Sequence, residues 1–328
     1  MRTTIAIALV LSALIMGWWS FQQREQMVIN SGEAVKIGVS LTPLSTPFFV
    51  AEQQGFFSKQ GVIVELVPCK GGVHCAKLLQ EGVVDYATAS GTVALFNSYH
   101  HNNIALLASF VTSSNDLKLL SLESTNITDI ADLEGKKVGI VKSSASEFYF
   151  DLLLISNALQ DMHIERVYLK PDEMVPALLS YQVESISIWE PYGYRASLEA
   201  TTQVIDIGTE GIYQLSFNLL AKTTRGETSD IDQSLLSALF NAVDWIGSHS
   251  IQSIELISEE LQIKPQQVKW SWDDYVFNLA NDYSLLSNLQ LQAHWASERN
   301  VLEGEPLDVR AIIDNQPFEE LKLKAAAR

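Results

Sequence analysis

Apolar residues between positions 35 and 110 come in short unbroken runs set between amphipathic stretches. VKIGVSL (35–41), VIVELVP (62–68), DYATAS (85–90) and IALLASF (104–110) have the length and β-branched content of buried strands. Between them, Pro47 to Lys59 reads as a helix with Phe48, Phe49 and Ala51 on its apolar side. A second helix is expected from about Gly72 to Gln80, and a third starts near Gly91. Strands interleaved with short helices predict a mostly parallel sheet covered on both faces.

A second region repeats this alternation. LKLLSLES (117–124) opens it, and ADLEGKKVGIV (131–141) turns at Glu134–Gly135 into a strand. Ser146 to Leu159 carries Phe148, Leu152, Ile155 and Leu159 at helical spacing. RVYLK (166–170) and SISIW (185–189) read as strands around a helix from Asp172 to Tyr181, and QLSFNLLAKT (214–223) as a strand leading out. The remainder is expected to be helical: Asp230 to His249, Ile251 to Leu261 and Tyr283 to Glu298. The predicted architecture is α/β with two lobes. Lobe one takes 35–117 plus 222–328 and lobe two 118–221, with crossings near Asp116–Lys118 and Ala221–Thr223. Two crossings make a hinge, and a hinge with a cleft is a ligand trap.

The N-terminus changes the picture from a cytoplasmic to an exported chain. Arg2 precedes an uncharged run from Ile5 to Trp19, the layout of an export signal. Trp18, Trp19 and Phe21 crowd the place where a cleavage site needs small residues, so residues 1–21 read as a signal peptide or a retained membrane anchor, followed by a linker over 22–34. The expected location is periplasmic or extracytoplasmic. The net charge of -17 excludes general electrostatic binding of nucleic acid. It leaves room for a small anion held by backbone N–H groups at helix starts. The two cysteines, Cys69 and Cys75, stand in CKGGVHC; a disulfide, free thiols and a metal site with His74 are all open readings.

The segment VKIGVSLTPLSTPFFVAEQQGFFSKQGVIVELVPCKGG resembles the opening of the solute-binding proteins of the nitrate, sulfonate and taurine transporter family, which also includes carriers of thiamine-precursor pyrimidines. The resemblance continues in LLQEGVVDYA, ADLEGKKVGI and ISIWEPY, and covers about 35 to 225 well. It implies the type II periplasmic binding protein fold, a role in delivering a solute to an ABC-transporter permease, and no cofactor. Family members usually carry a clean signal or lipoprotein site, and this chain has neither. A membrane-anchored sensor or accessory protein using the same trap is therefore the alternative, with pyrimidine binding or biosynthesis a further one.

Ligands in open α/β sheets sit beyond the carboxyl ends of the strands. Five loops converge under that rule: Ser40, Thr42, Ser45 and Thr46; Gly71 and Gly72; Ser90, Gly91 and Thr92; Ser143, Ser144 and Ser146; and Trp189, Glu190 and Tyr192. Hydroxyls at helix starts serve either as caps or as donors to an oxyanion. Trp189 is a core residue or a platform for the ligand, and Glu190 an acceptor for an ammonium or ring N–H. Trp270 and Trp272 are expected in the core. No catalytic motif (GxSxG, HExxH, P-loop or GxGxxG) is present, so binding without chemistry is expected. The expected form is a monomer holding a small anionic or zwitterionic solute.

Overall fold

A computed structural model describes residues 34–101, 103–223, 230–299 and 308–326. The expected signal or anchor over 1–21 lies outside these residues. In chain order the strands are β1 (Val35–Ser40), β2 (Val64–Cys69), β3 (Tyr86–Ser90), β4 (Ile104–Ser113), β5 (Leu117–Leu122) and β6 (Lys137–Ile140). They continue as β7 (Glu165–Tyr168), β8 (Ser185–Trp189), β9 (Val204–Asp206), β10 (Leu215–Lys222) and β11 (Tyr275–Ala280). Two sheets result, ordered β11-β4-β10-β3-β1-β2 and β7-β6-β8-β5-β9. In the first, β1, β2, β3 and β4 run one way and β10 and β11 the other. In the second only β5 opposes its neighbours. The fold is the two-lobed α/β arrangement, but each sheet is mixed in place of the mostly parallel sheets expected: β10 and β11 in the first and β5 in the second make five of the nine strand pairings among the described residues antiparallel.

The chain passes from the first sheet to the second between β4 and β5, over 114–116. The second crossing differs from expectation. Leu215–Lys222, expected to close lobe two, pairs along its length with β4 and with β3 in the first sheet. The chain therefore returns over 207–214, ahead of Ala221–Thr223. An apolar run shows that a strand is buried but not which sheet buries it.

Three local differences have local causes. The expected helix Pro47–Lys59 is broken into Thr46–Gln53 and a turn Phe56–Lys59, because Gly55 takes φ +67°. Tyr275–Ala280 is an edge strand on β4 inside the region expected to be helical. Trp270 is 60% exposed whereas Trp272 is buried as expected. The C-terminal helices Asp230–Ser248 and Ser250–Glu260 pack back on the first lobe, with apolar faces that include Leu235, Leu239, Ile254 and Ile257. Its core centres on Phe110, which meets Phe48 edge-on at 4.9 Å and Phe217 at 5.8 Å.

Candidate functional site

The C-terminal ends of the parallel strands of both sheets point toward one narrow cavity of about 30 Å³ between the lobes. Its walls come from β1 (Ser40), the loop after it (Thr42, Leu44), β3 (Ser90), β8 (Trp189) and the reversed β10 (Leu215, Phe217). Three helices begin at its surface: Gly71–Glu81 through Gly72 and Val73, Gly91–His101 beside Ser90, and Ala145–Ser156 through Ser144 and Ala145. Helix starts present N–H groups and the positive end of the helix dipole. The crossing adds Asp116 and Leu117.

Gly72 is required where it stands. A Cβ there would lie 2.9 Å from Ala89 Cα, so no side chain fits between the helix start and β3. The same helix is tied to the end of β2 by a Cys69–Cys75 disulfide, with Cα atoms 5.4 Å apart. Gly71 lies beside Trp189, whose Cζ2 would be 3.2 Å from a Cβ at that position.

The hydroxyls divide into two groups. Ser144 caps its helix, accepting from the Ser146 N–H at 3.2 Å and donating to the Val141 carbonyl at 2.6 Å. Ser90 accepts from the Val93 N–H at 3.3 Å. Thr46 donates to the Pro43 carbonyl, and Thr92 donates to Gln292 Oε1 at 2.7 Å, away from the cavity. In contrast, the hydroxyls of Ser40, Thr42 and Ser45 are buried and find no partner among the described residues. Buried hydroxyls are normally satisfied, and of these three Ser40 and Thr42 line the cavity, where an occupant would be their partner.

Of the expected site residues, Ser40, Thr42, Gly72, Ser90, Ser144 and Trp189 line the cavity. Ser45, Thr46, Gly71, Gly91, Thr92, Ser143, Ser146 and Glu190 stand behind the lining. Ser143 donates its N–H to Glu147 Oε2, and Gly91 is packed between Leu289 and Ser216. Glu190 departs most from expectation. Its carboxylate accepts from the Tyr194 N–H at 3.0 Å and from Trp270 Nε1 at 3.2 Å, so it faces the helices behind the site. Burial raises its pKa, opposed by those two donors and by Lys118.

Asp116 was outside the expected set, although it lies in the predicted crossing. It is 1% exposed and lines the cavity. Its Oδ1 accepts from the Tyr275 hydroxyl at 2.9 Å; its Oδ2 has no partner among the described residues. Burial pushes its pKa up to about 8, with the Tyr275 donor opposing and the Glu190 carboxylate adding. Apolar lining residues such as Val73, Val93 and Phe217 carry no signal in the sequence that separates them from core.

The lobes touch at three further places around the cavity. Lys70 Nζ meets Asp172 Oδ2 at 3.0 Å across the mouth. Trp270 reaches Glu190. Asp151, 1% exposed at its side chain, accepts from Trp295 Nε1 at 3.0 Å and pairs with the guanidinium groups of Arg166 and Arg299. Phe148 packs edge-on against Trp295 at 5.0 Å beside that carboxylate.

Residues 42–249 match the family described as NMT1/THI5 like. A Bacillus subtilis (strain 168) protein named for binding aliphatic sulfonates is 23% identical over 69% of this chain and 69% of its own length. A Haemophilus influenzae protein named for thiamine biosynthesis is 27% identical over 52% of this chain, and the match spans about half (55%) of that relative. Among solved structures, the alkanesulfonate-binding protein SsuA from Xanthomonas axonopodis pv. citri, bound to MOPS, superposes with a TM-score of 0.77 at 17% identity, covering 87% of this chain and 99% of that one. The periplasmic nitrate-binding protein NrtA from Synechocystis PCC 6803 gives 0.68 at 14% identity, over 90% of each chain. Among the described residues no helix is long and apolar enough to cross a membrane. The chain belongs to the NMT1/THI5-like family and has the periplasmic binding protein fold.

Proposed function

We propose that the protein is an extracytoplasmic solute-binding protein that closes its two lobes over a small organic anion of the sulfonate class and presents it to an ABC-transporter permease. The observation that carries this reading is the inter-lobe cavity into which three helix starts and the orphaned hydroxyls of Ser40 and Thr42 converge. Backbone N–H groups and hydroxyls suit the dispersed charge of an oxyanion, while Trp189, Phe217 and Leu44 suit its carbon chain. The sulfonate-binding relatives point to the same class. The ligand is held and released unchanged. The run from Ile5 to Trp19 serves export or anchoring; mass spectrometry of the mature N-terminus separates a diffusing carrier from a tethered one.

A thermal-shift screen of the exported domain tests the ligand class. The panel is alkanesulfonates, nitrate, amino acids and thiamine-precursor pyrimidines. A ligand at a hundred times its Kd stabilises the native state by about 2.7 kcal/mol. A shift with sulfonates is expected. A shift confined to pyrimidines would favour the reading suggested by the Haemophilus influenzae relative, and no shift with any class would overturn the trap.

A further inference from the structure

We propose that a second pocket, on the face of the first sheet turned away from the inter-lobe cavity, binds a small neutral polyhydroxylated molecule: a single sugar ring or a short polyol. The inference is independent of the sulfonate reading. The pocket measures about 220 Å³. Clefts that take drug-sized ligands hold roughly 300–1,000 Å³, so the occupant is small. The alternation along β10 keeps the two sites apart. Leu215 and Phe217 line the inter-lobe cavity, and Ser216 between them lines this pocket. Thr112 on β4 stands level with Ser216 and with Val276 on β11, and all three belong to its floor. The helix Tyr283–Glu298 supplies the facing wall through Ser284 and Asn288, with its N-cap Asp282. Gln214, in the return crossing, completes the rim and accepts from Asn288 Nδ2 through its carbonyl.

Three observations carry the inference. The sheet is opened here. The pairing of β11 with β4 slips between Phe277 and Ala280, so Asn278 has no partner on β4, and its side-chain amide has no hydrogen bond among the described residues. A polar network also starts in the pocket and is left incomplete. Buried Ser216 accepts from Asn218 Nδ2 at 3.3 Å and donates to nothing among the described residues; Asn218 Oδ1, buried behind it, has no partner either. Finally, the lining offers little net charge. Among the described residues it holds no Lys or Arg to attract an anion. Asp282 is the one acid among them, and its Oδ1 accepts from the Ser284 and Leu285 N–H groups at 3.0 and 3.1 Å, at the positive end of the helix dipole. That offsets the charge a cation would need. What stays open is a mixture of donors and acceptors: the Ser216 and Ser284 hydroxyls, the Asn278 amide and Asp282 Oδ2. Each hydroxyl of a polyol both donates and accepts, which matches this mixture, and its C–H face fits Val276 and Leu285.

Polyols raise melting temperatures by exclusion from the protein surface, so binding has to be read directly. Saturation-transfer NMR titrations of the whole protein with glucose, myo-inositol and xylitol test the site. At least one is expected to bind saturably with a Kd below about 1 mM. Asn278→Val removes the free amide with a residue that suits a strand, and Ser284→Phe fills the pocket from an exposed position. Each should weaken that binding roughly tenfold or more, with an unchanged circular dichroism spectrum. Absence of saturable binding by all three polyols overturns the proposal, as does polyol binding that survives both substitutions. A pocket that takes calcium chloride or ethylamine instead, and loses it in Asp282→Asn, is a cation site, and the neutral class falls. Should one of the two pocket variants fail to fold, the other decides.

Discussion

Asp116 and Glu190 are both buried acids near the crossing, yet they have opposite surroundings. Glu190 is bonded through both carboxylate oxygens to Trp270 and Tyr194, whereas Asp116 keeps one oxygen toward the cavity. A carboxyl whose folded pKa lies above its unfolded one keeps its proton in the native state over a window where the unfolded chain has lost it. Stability then falls as pH rises through that window. For Asp116 the window runs from the ordinary value of 3.8 to about 8. Asp116→Asn is expected to flatten this part of the pH dependence, by at most about 1.4 kcal/mol per pH unit. Urea midpoints of the unliganded protein at a series of pH values check it, and parallel curves for variant and wild type would contradict it. Gly72 is a second residue-scale test. Gly72→Ala must displace the helix start from Ala89, at an expected cost of about 2 kcal/mol, read by chemical denaturation.

Helix starts and their tethers decide how the elements present the site. The Cys69–Cys75 bridge closes a short loop, with a sequence separation of 6, between β2 and the helix that supplies Gly72 and Val73. Closing a loop of this size restricts the unfolded chain by about 2 kcal/mol. Replacing both cysteines by serine should lower stability by about that amount and weaken ligand binding, since the helix start is no longer tied to the strand end. Denaturation and calorimetry on the same sample separate the two effects. The element boundaries themselves were legible where an apolar run met glycine, serine or proline, as at Ser144 before the helix Ala145–Ser156. They were not legible at Tyr275–Ala280. That edge strand follows a helical region and exposes Val276, so its sequence carries no strict two-residue alternation.

Closure of the whole molecule depends on pairs that bridge the lobes. Asp151 belongs to the second lobe, and Trp295 and Arg299 to the first. Trp295→Phe removes one N–H donor to this carboxylate while keeping the ring against Phe148. A hydrogen bond of this kind contributes about 1 kcal/mol, so the closed population and the apparent affinity should fall roughly fivefold. Small-angle scattering of the unliganded variant should show a larger radius of gyration, and an unchanged affinity would mean that the bond does not bias closure. Lys70–Asp172 at the exposed mouth is the control: exposed ion pairs contribute little, so Lys70→Met is expected to change affinity less than Trp295→Phe.

The sequence by itself determined the alternation of strand and helix, the two-lobed α/β class, the family and the helix starts that bear serine and glycine, because these follow from local periodicity and local backbone preference. Tertiary structure decided which of those residues face the cavity. Thr92 turns to Gln292, Glu190 to Trp270, and Asp116 to the cavity, although all are polar residues at strand ends or crossings. A side chain's direction depends on partners far away in the chain, and spacing along the sequence does not encode them. The same reason placed β10 in the first sheet: its hydrogen-bond partners, β3 and β4, lie more than a hundred residues earlier.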